Sequence, residues 1–424
     1  MEVVGGIAAN HLQKISMIKL LHLADLHIGV ENYGRIDPAT GMHTRLLDYL
    51  SRLDEAIELG LQSGVDLVLI AGDIYKNRSP NPTHQREFAR RLHRLRSAGV
   101  PVFILTGNHD ISASLGRAHS VEIFEALDID GITVADRLRL HVIQTRSGPL
   151  QIIALPWVTR HSLMTREEMR GASFAEIEYE LRRRLENFVI GTAAKLDPSI
   201  PSVLAFHGSV DGAEMGAERA ITLGQDLVMS RSVLGQPSID YVAMGHIHKH
   251  QVIGAQPPLV YPGSIERVDF GERDEPKGCV LVELEPGVAR WRFHQLAARP
   301  FVSIEYDLRS VSDPLEFVTT LISRHDLRQA VVRVELQATR EQAAVLREEQ
   351  IRAVLEEAGA FVVAAITITV ERATRRRYAS EAELLEGLTP RRALEIYLRQ
   401  KHPPLPPERI AALLAAADEL IQAG

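Results

Sequence analysis

Five short apolar runs, each closed by a small group of Asp, Asn or His residues, constrain this chain more than any other feature. The runs are Ile18–Ala24, Val65–Ala71, Val100–Thr106, Val203–Phe206 and Tyr241–Met244. Each has the length and branched-residue content of a strand. They end in Asp25-Leu26-His27, Gly72-Asp73-Ile74, Gly107-Asn108-His109-Asp110, His207-Gly208 and Gly245-His246-Ile247-His248. Helical patterns such as Leu46–Gln62 and Thr83–Ala98 lie between them. That alternation predicts an α/β sandwich or a doubly wound sheet. In open α/β sheets ligands bind outside the carboxyl ends of strands. If the strands are parallel, the five groups meet at one rim.

The residue types at those ends point to metal chemistry. Asp25, His27, Asp73, Asn108, His207, His246 and His248 offer hard oxygen and borderline nitrogen donors, a mix suited to Mn²⁺, Zn²⁺ or Fe²⁺. Seven donors exceed the needs of one ion and suit two that share a bridging carboxylate. Two such ions about 3.5–4 Å apart clamp a phosphoryl group. In Asp25-x-His27 and His246-x-His248 both side chains fall on one side of an extended segment. Glycine before Asp73, Asn108 and His246 is expected to permit sharp turns that aim these side chains.

Composition narrows the remaining classes. The chain has 48 basic and 55 acidic residues, net charge −7, so binding to a polyanion would need a local basic patch, a metal or a partner. The single cysteine, Cys279, has no internal disulfide partner. No apolar run reaches the ~18 residues that span a bilayer, and Met1–Ser16 lacks the pattern of a signal peptide. A cytoplasmic location is the expectation.

The organisation expected along the chain is an extension over 1–16, a main domain over 17–298, a small α+β domain over 299–371, and a linker and helical tail over 372–424. Ser147-Gly148 reads as a hairpin turn, and Glu167–Ile190 as a helix with Arg182, Arg183 and Arg184 on a solvated face. In the small domain, Phe301–Leu308, Ala330–Leu336 and Ala360–Val370 read as strands, and Pro314–Arg324 and Arg340–Ala358 as helices. The linker carries Arg375, Arg376 and Arg377. Thr389-Pro390 marks a helix start. Ile410, Leu413, Leu414, Ala417, Leu420 and Ile421 form an apolar stripe, which suits either internal packing or docking onto a partner.

The ordered string from Asp25-x-His27 to His246-x-His248 resembles the signature of the calcineurin-like metallophosphoesterases. The segments Tyr261–Arg267, Phe270-Gly271-Glu272 and Lys277–Glu283 resemble those of the SbcD family of nuclease subunits. The resemblance covers nearly the whole chain after residue 16. It implies a β-sandwich flanked by helices, a small capping domain and a C-terminal helical tail. It also implies a metal-dependent DNA nuclease of double-strand break repair, acting as a duplex 3′–5′ exonuclease and a single-strand or hairpin endonuclease.

The resemblance further implies two divalent ions, Mn²⁺ foremost. Asp25, His27, Asp73 and His248 would hold one. Asp73, Asn108, His207 and His246 would hold the other, with Asp73 bridging. His109 would stabilise developing charge or protonate the leaving oxygen. Asp110 would orient His109 or cap the helix that follows. Some relatives have a histidine three residues after the bridging aspartate; Lys76 stands there in this chain and is a candidate phosphate contact, as is Arg267. The partners implied are DNA, a coiled-coil ATPase of the SbcC type bound through the tail helices, and a second copy of the chain met through helices near 83–128. The alternative is a metallophosphoesterase acting on nucleotides or other small phosphoesters.

Overall fold

The computed structural model describes residues 16–111, 118–159, 163–216, 227–370, 394, 395, 398 and 406–422. The expected extension, the Arg375–Arg377 run and Thr389-Pro390 lie outside these, apart from Ser16.

The main unit is built on two six-stranded sheets. The first runs β12-β11-β1-β2-β3-β4, formed by β1 Ile18–Leu23, β2 Leu67–Ala71, β3 Val102–Leu105, β4 Ile132–Ala135, β11 Gly278–Glu285 and β12 Val288–Gln295. The second runs β5-β6-β7-β8-β10-β9, formed by β5 Arg139–Thr145, β6 Gly148–Leu155, β7 Ser202–His207, β8 Tyr241–Gly245, β9 Gln251–Ala255 and β10 Pro258–Tyr261. Strands β1 to β4 are mutually parallel, as are β6, β7, β8 and β10.

Alternate residues of each strand enter different cores, which is why the runs read as continuously apolar. Leu20, Leu69 and Phe103 of the first sheet pack against Ile152, Ala205 and Tyr241 of the second. Leu21, Val68 and Ile104 face outward onto α1 Thr44–Ser63 and α2 Pro82–Ser97. The second sheet is covered on its outer face through Leu185 and Val189. The fold is thus a β-sandwich with helices on both flanks, in agreement with the sequence reading. Helix α1 buries Leu46, Tyr49, Leu50, Leu53 and Ile57, an i, i+3/i+4 stripe, and stops at Gly64 in the left-handed region. Helix α2 starts from the Asn81 cap with Pro82 behind it.

Some boundaries differ from expectation. The helix expected from Glu167 is broken at Gly171, whose φ of 82° leaves the helical region. Two helices result, α4 Arg166–Met169 and α5 Phe174–Ala193, the latter restarted by a Ser173/Glu176 capping box. Among the described residues the unit also holds the five-residue helix α3 Glu122–Ala126, the four-residue α6 Arg231–Leu234 and a 3₁₀ turn at Phe270–Glu272. Thr145 pairs with Gly148, so the hairpin turn is Arg146-Ser147, one residue earlier than read.

The unit that follows is a three-stranded parallel sheet, β13 Phe301–Asp307, β14 Val331–Ala338 and β15 Val362–Val370. It is joined by α7 Pro314–Ser323, α8 Arg340–Val345 and α9 Glu348–Glu357. The single helix read over 340–358 is split because Leu346 turns extended, with ψ 108°, and buries its side chain. Arg299 pins this unit to the sandwich: its guanidinium pairs with Asp48 and lies 3.6 Å from the ring centre of Phe361. The tail retains helix α10 Pro407–Gln422. Among the described residues no helix is long and apolar enough to cross a membrane.

Candidate metal centre

The parallel strands carry their C-terminal ends to one place. Asp25 and His27 follow β1, Asp73 follows β2, Asn108 and His109 follow β3, His207 ends β7, and His246 and His248 follow β8. His27 Nε2 and His248 Nε2 face each other at 2.9 Å. Asn108 Oδ1 lies 3.0 Å from His207 Nε2 and 3.1 Å from His246 Nδ1. The Asp73 carboxylate sits between the two groups, 3.9 Å from His27 Nε2 and 3.5 Å from His207 Nε2. All seven donors singled out in the sequence therefore meet in one buried cluster.

The local backbone shows how. Asp25, His27, Asp73 and His246 all have positive φ, of 51°, 42°, 53° and 102°. Non-glycine residues in this region are strained, and such strain collects at functional sites. The sharp turns fall mainly on the donors themselves. Of the three preceding glycines only Gly72 has positive φ; Gly107 and Gly245 serve close packing. A Cβ on Gly107 would sit 2.1 Å from Asp73 Oδ1, and one on Gly245 would sit 2.0 Å from the Ala71 carbonyl oxygen. Backbone amides also hold the carboxylates: His246 N–H donates to Asp25 and His109 N–H to Asp73.

The electrostatics call for cations. Asp25 and Asp73 are 0% and 2% exposed, and among the described residues neither pairs with a lysine or arginine. Burial pushes the Asp25 carboxyl up. Burial also acts to raise Asp73, but His207, His109 and His27 around it hold it well below the usual carboxylate range. Burial opposes a charge on His207, yet Asp73 and Asp25 raise its pKa to about 9. Two buried carboxylates drawing a proton onto an imidazole is the field of a cation site. Donor atoms of Asp25, His27 and His248 lie within 4.8 Å of one another, as do those of Asp25, Asp73 and His207. The residues present fit a pair of divalent ions.

Neighbours to which the sequence reading gives no role complete the site. Glu272 Oε1 lies 2.6 Å from His248 Nδ1, and Lys277 Nζ lies 2.9 Å from Glu272 Oε2 while donating to the His248 carbonyl. Burial would raise Glu272, but His248 and Lys277 keep its carboxyl well below the usual range. His207 Nδ1 donates to the Ala71 carbonyl at 2.7 Å, which turns Nε2 to the cluster. Trp157 packs on His246 with ring centres 5.3 Å apart.

His109 stands at the margin, its side chain 34% exposed and its Nε2 3.9 Å from Asp73 Oδ2. Its Nδ1 donates to the Lys76 carbonyl at 2.5 Å. Among the described residues Asp110 is engaged by backbone amides and a serine rather than by the His109 ring. Its carboxylate accepts from the amides of Asp73, Ile74 and Gly107 and from Ser120 Oγ, which ties the turn after β2 to the turn after β3. The Lys76 side chain is exposed beside this turn. Arg267 is held internally: its guanidinium donates to the carbonyls of Arg273, Arg299 and Glu275, which engages three of its five N–H groups.

Residues 18–250, over half of the chain, match the family described as calcineurin-like phosphoesterase. The chain belongs to that family. Members are metal-dependent phosphoesterases, and the chain is accordingly a phosphodiester hydrolase of this class. It is 26% identical over 310 residues to the SbcD component of the nuclease SbcCD of Escherichia coli K12, covering 70% of this chain and 74% of that protein. It is 27% identical over 322 residues to the DNA double-strand break repair protein Mre11 of Haloferax volcanii, covering 76% of this chain and 61% of that protein. A third relative, the uncharacterized metallophosphoesterase YhaO of Bacillus subtilis, is 25% identical over 280 residues, covering 66% of this chain and 60% of its own.

Proposed function

We propose that the chain is a DNA nuclease of the SbcD type, the phosphodiester-cutting subunit of a double-strand break repair complex. The observation that carries this is the convergence of seven donors in a chain whose similarity to named nucleases extends well past the last donor. Asp25, His27, Asp73 and His248 would hold one divalent ion, and Asp73, Asn108, His207 and His246 the other, with Mn²⁺ the favoured metal. When bound, the ions supply Lewis acidity to the phosphate and to an attacking water.

The protein's own groups do the rest. Asp73 lies between the two donor sets and is kept ionised by its histidine neighbours. His109, fixed at Nδ1 by the Lys76 carbonyl, presents Nε2 toward the cluster. From there it would stabilise charge on the phosphate or donate a proton to the leaving 3′ oxygen. The exposed Lys76 ammonium adds a positive charge at the mouth.

Exposed apolar surface supports the partners that the resemblance implies. Helix α10 buries Leu414 but leaves Leu413 37% exposed and Ile410 partly so, which suits docking on a coiled-coil ATPase of the SbcC type. Helix α3 exposes Ile123 at 50% and Leu127 follows it at 63%, within the region expected to meet a second copy.

The test is a Mn²⁺-dependent assay of the purified chain, alone and with its ATPase, on blunt duplex and hairpin DNA, with nucleotides and a small aryl phosphodiester as competitors. DNA cleavage is expected. Hydrolysis of the small phosphoesters with DNA left intact would favour the alternative.

A further inference from the structure

A second convergence of metal-ligating groups lies apart from the seven donors. His119 sits in the turn before α3, Glu125 on α3, and Asp136 directly after β4. One ligand atom from each lies within 4.8 Å of the others. The His119 side chain is only 11% exposed, and among the described residues neither of its buried ring nitrogens has a partner within hydrogen-bonding distance, although the imidazole holds the Asp136 carboxyl below its usual value. Nε2 stands 3.8 Å from Asp136 Oδ2 and 4.0 Å from Glu122 Oε2. These gaps are too long for hydrogen bonds. They fall in the range spanned by two ligand atoms that share one ion at about 2.0–2.2 Å each. Glu122 is otherwise engaged, accepting the His119 amide at 3.0 Å. Arg137 also reaches Asp136 Oδ2 at 3.6 Å, from a side chain that is 87% exposed.

We propose that His119, Glu125 and Asp136 bind one divalent transition-metal ion, separate from the pair held by the seven donors. One imidazole and two carboxylates favour Zn²⁺, Mn²⁺ or Fe²⁺ over Ca²⁺, with water filling the remaining positions. The ion ties α3 to the end of β4 and braces the turn that carries Ser120. Ser120 Oγ donates to Asp110, which grips the amides of Asp73, Ile74 and Gly107. The second site thereby steadies the segment bearing Asn108 and His109.

The experiment counts ions. The full chain is stripped with a chelator, dialysed against Zn²⁺ and analysed for bound metal, as wild type, Asp73→Ala, His119→Gln, Glu125→Gln and Asp73→Ala/Glu125→Gln. Glu125 is exposed, so its variant folds whatever becomes of His119→Gln. His119→Gln and Glu125→Gln are each expected to bind one equivalent fewer than wild type. The double variant should bind one fewer than Asp73→Ala alone, and Zn²⁺ should raise the Tm of Asp73→Ala more than that of the double variant. Equal ion content in wild type, His119→Gln and Glu125→Gln overturns the proposal. DNA cleavage does not enter this count, so the nuclease reading stands or falls separately.

Discussion

Glu272 Oε1 lies 2.6 Å from Nδ1 of His248, and the same carboxylate is held by the fully buried ammonium of Lys277 and the Val268 amide. A carboxylate behind a ligating imidazole fixes the ring and raises its basicity. Glu272→Gln keeps the shape and removes the charge. Metal affinity should fall by about 10–100-fold, read by calorimetric titration, with the fold retained because Lys277 keeps Glu275 and the His248 carbonyl. Unchanged affinity would remove Glu272 from this role.

Asp110 joins two turns through three backbone amides and one hydroxyl, so its contribution is to the architecture around the donors. Asparagine offers one acceptor oxygen and sets an amide N–H₂ against backbone donors. Asp110→Asn is expected to cost about 2–4 kcal/mol in denaturant unfolding, since buried donors lose their partners. Loss of activity in this variant without loss of stability would point instead to a direct role beside His109.

His22 gives the fold an acid limit. It is 0% exposed between the two sheets, with Nδ1 3.0 Å from the Tyr241 hydroxyl, and burial lowers its pKa from 6.5 to about 3. Between those values the unfolded chain binds the proton and the folded chain does not. Stability is therefore complete above the unfolded value and falls with pH through that window, at up to about 1.4 kcal/mol per unit. His22→Leu should flatten the stability difference between pH 5 and pH 7 relative to wild type in chemical denaturation. An unchanged slope contradicts the assignment.

The strand-end donors are legible in the sequence because each motif follows an apolar run whose alternate residues enter two cores. The short β4 and the edge strand β9 are not, since four- and five-residue segments carry little periodicity. Glu272 lies in a segment that the family resemblance marks, yet an acidic residue in a single 3₁₀ turn has no pattern to distinguish it. Trp157 likewise follows β6 with no histidine or aspartate beside it to flag a strand end. The Gly171 break and the Leu346 break are hidden inside sequences of good helix formers. Arg267 reads as a phosphate contact because chain proximity does not reveal that three carbonyls already hold its guanidinium.

His109 is offered as the proton-handling group, and its partners predict a selective defect. Its ring is oriented by the Lys76 carbonyl, and it is not among the seven donors. His109→Gln should lower kcat for DNA cleavage by about 10²–10⁴-fold while Mn²⁺ stoichiometry stays the same. Loss of an ion in this variant would make His109 a ligand instead.

Asp73 lies between both donor sets, so one substitution tests the central claim. Bound Mn²⁺ and DNA cleavage are measured on the same preparations of wild type and Asp73→Ala, with circular dichroism as the control for folding. The variant should lose at least one equivalent of Mn²⁺ and all detectable cleavage while its fold is kept. Cleavage at the wild-type rate by a folded Asp73→Ala would contradict the account.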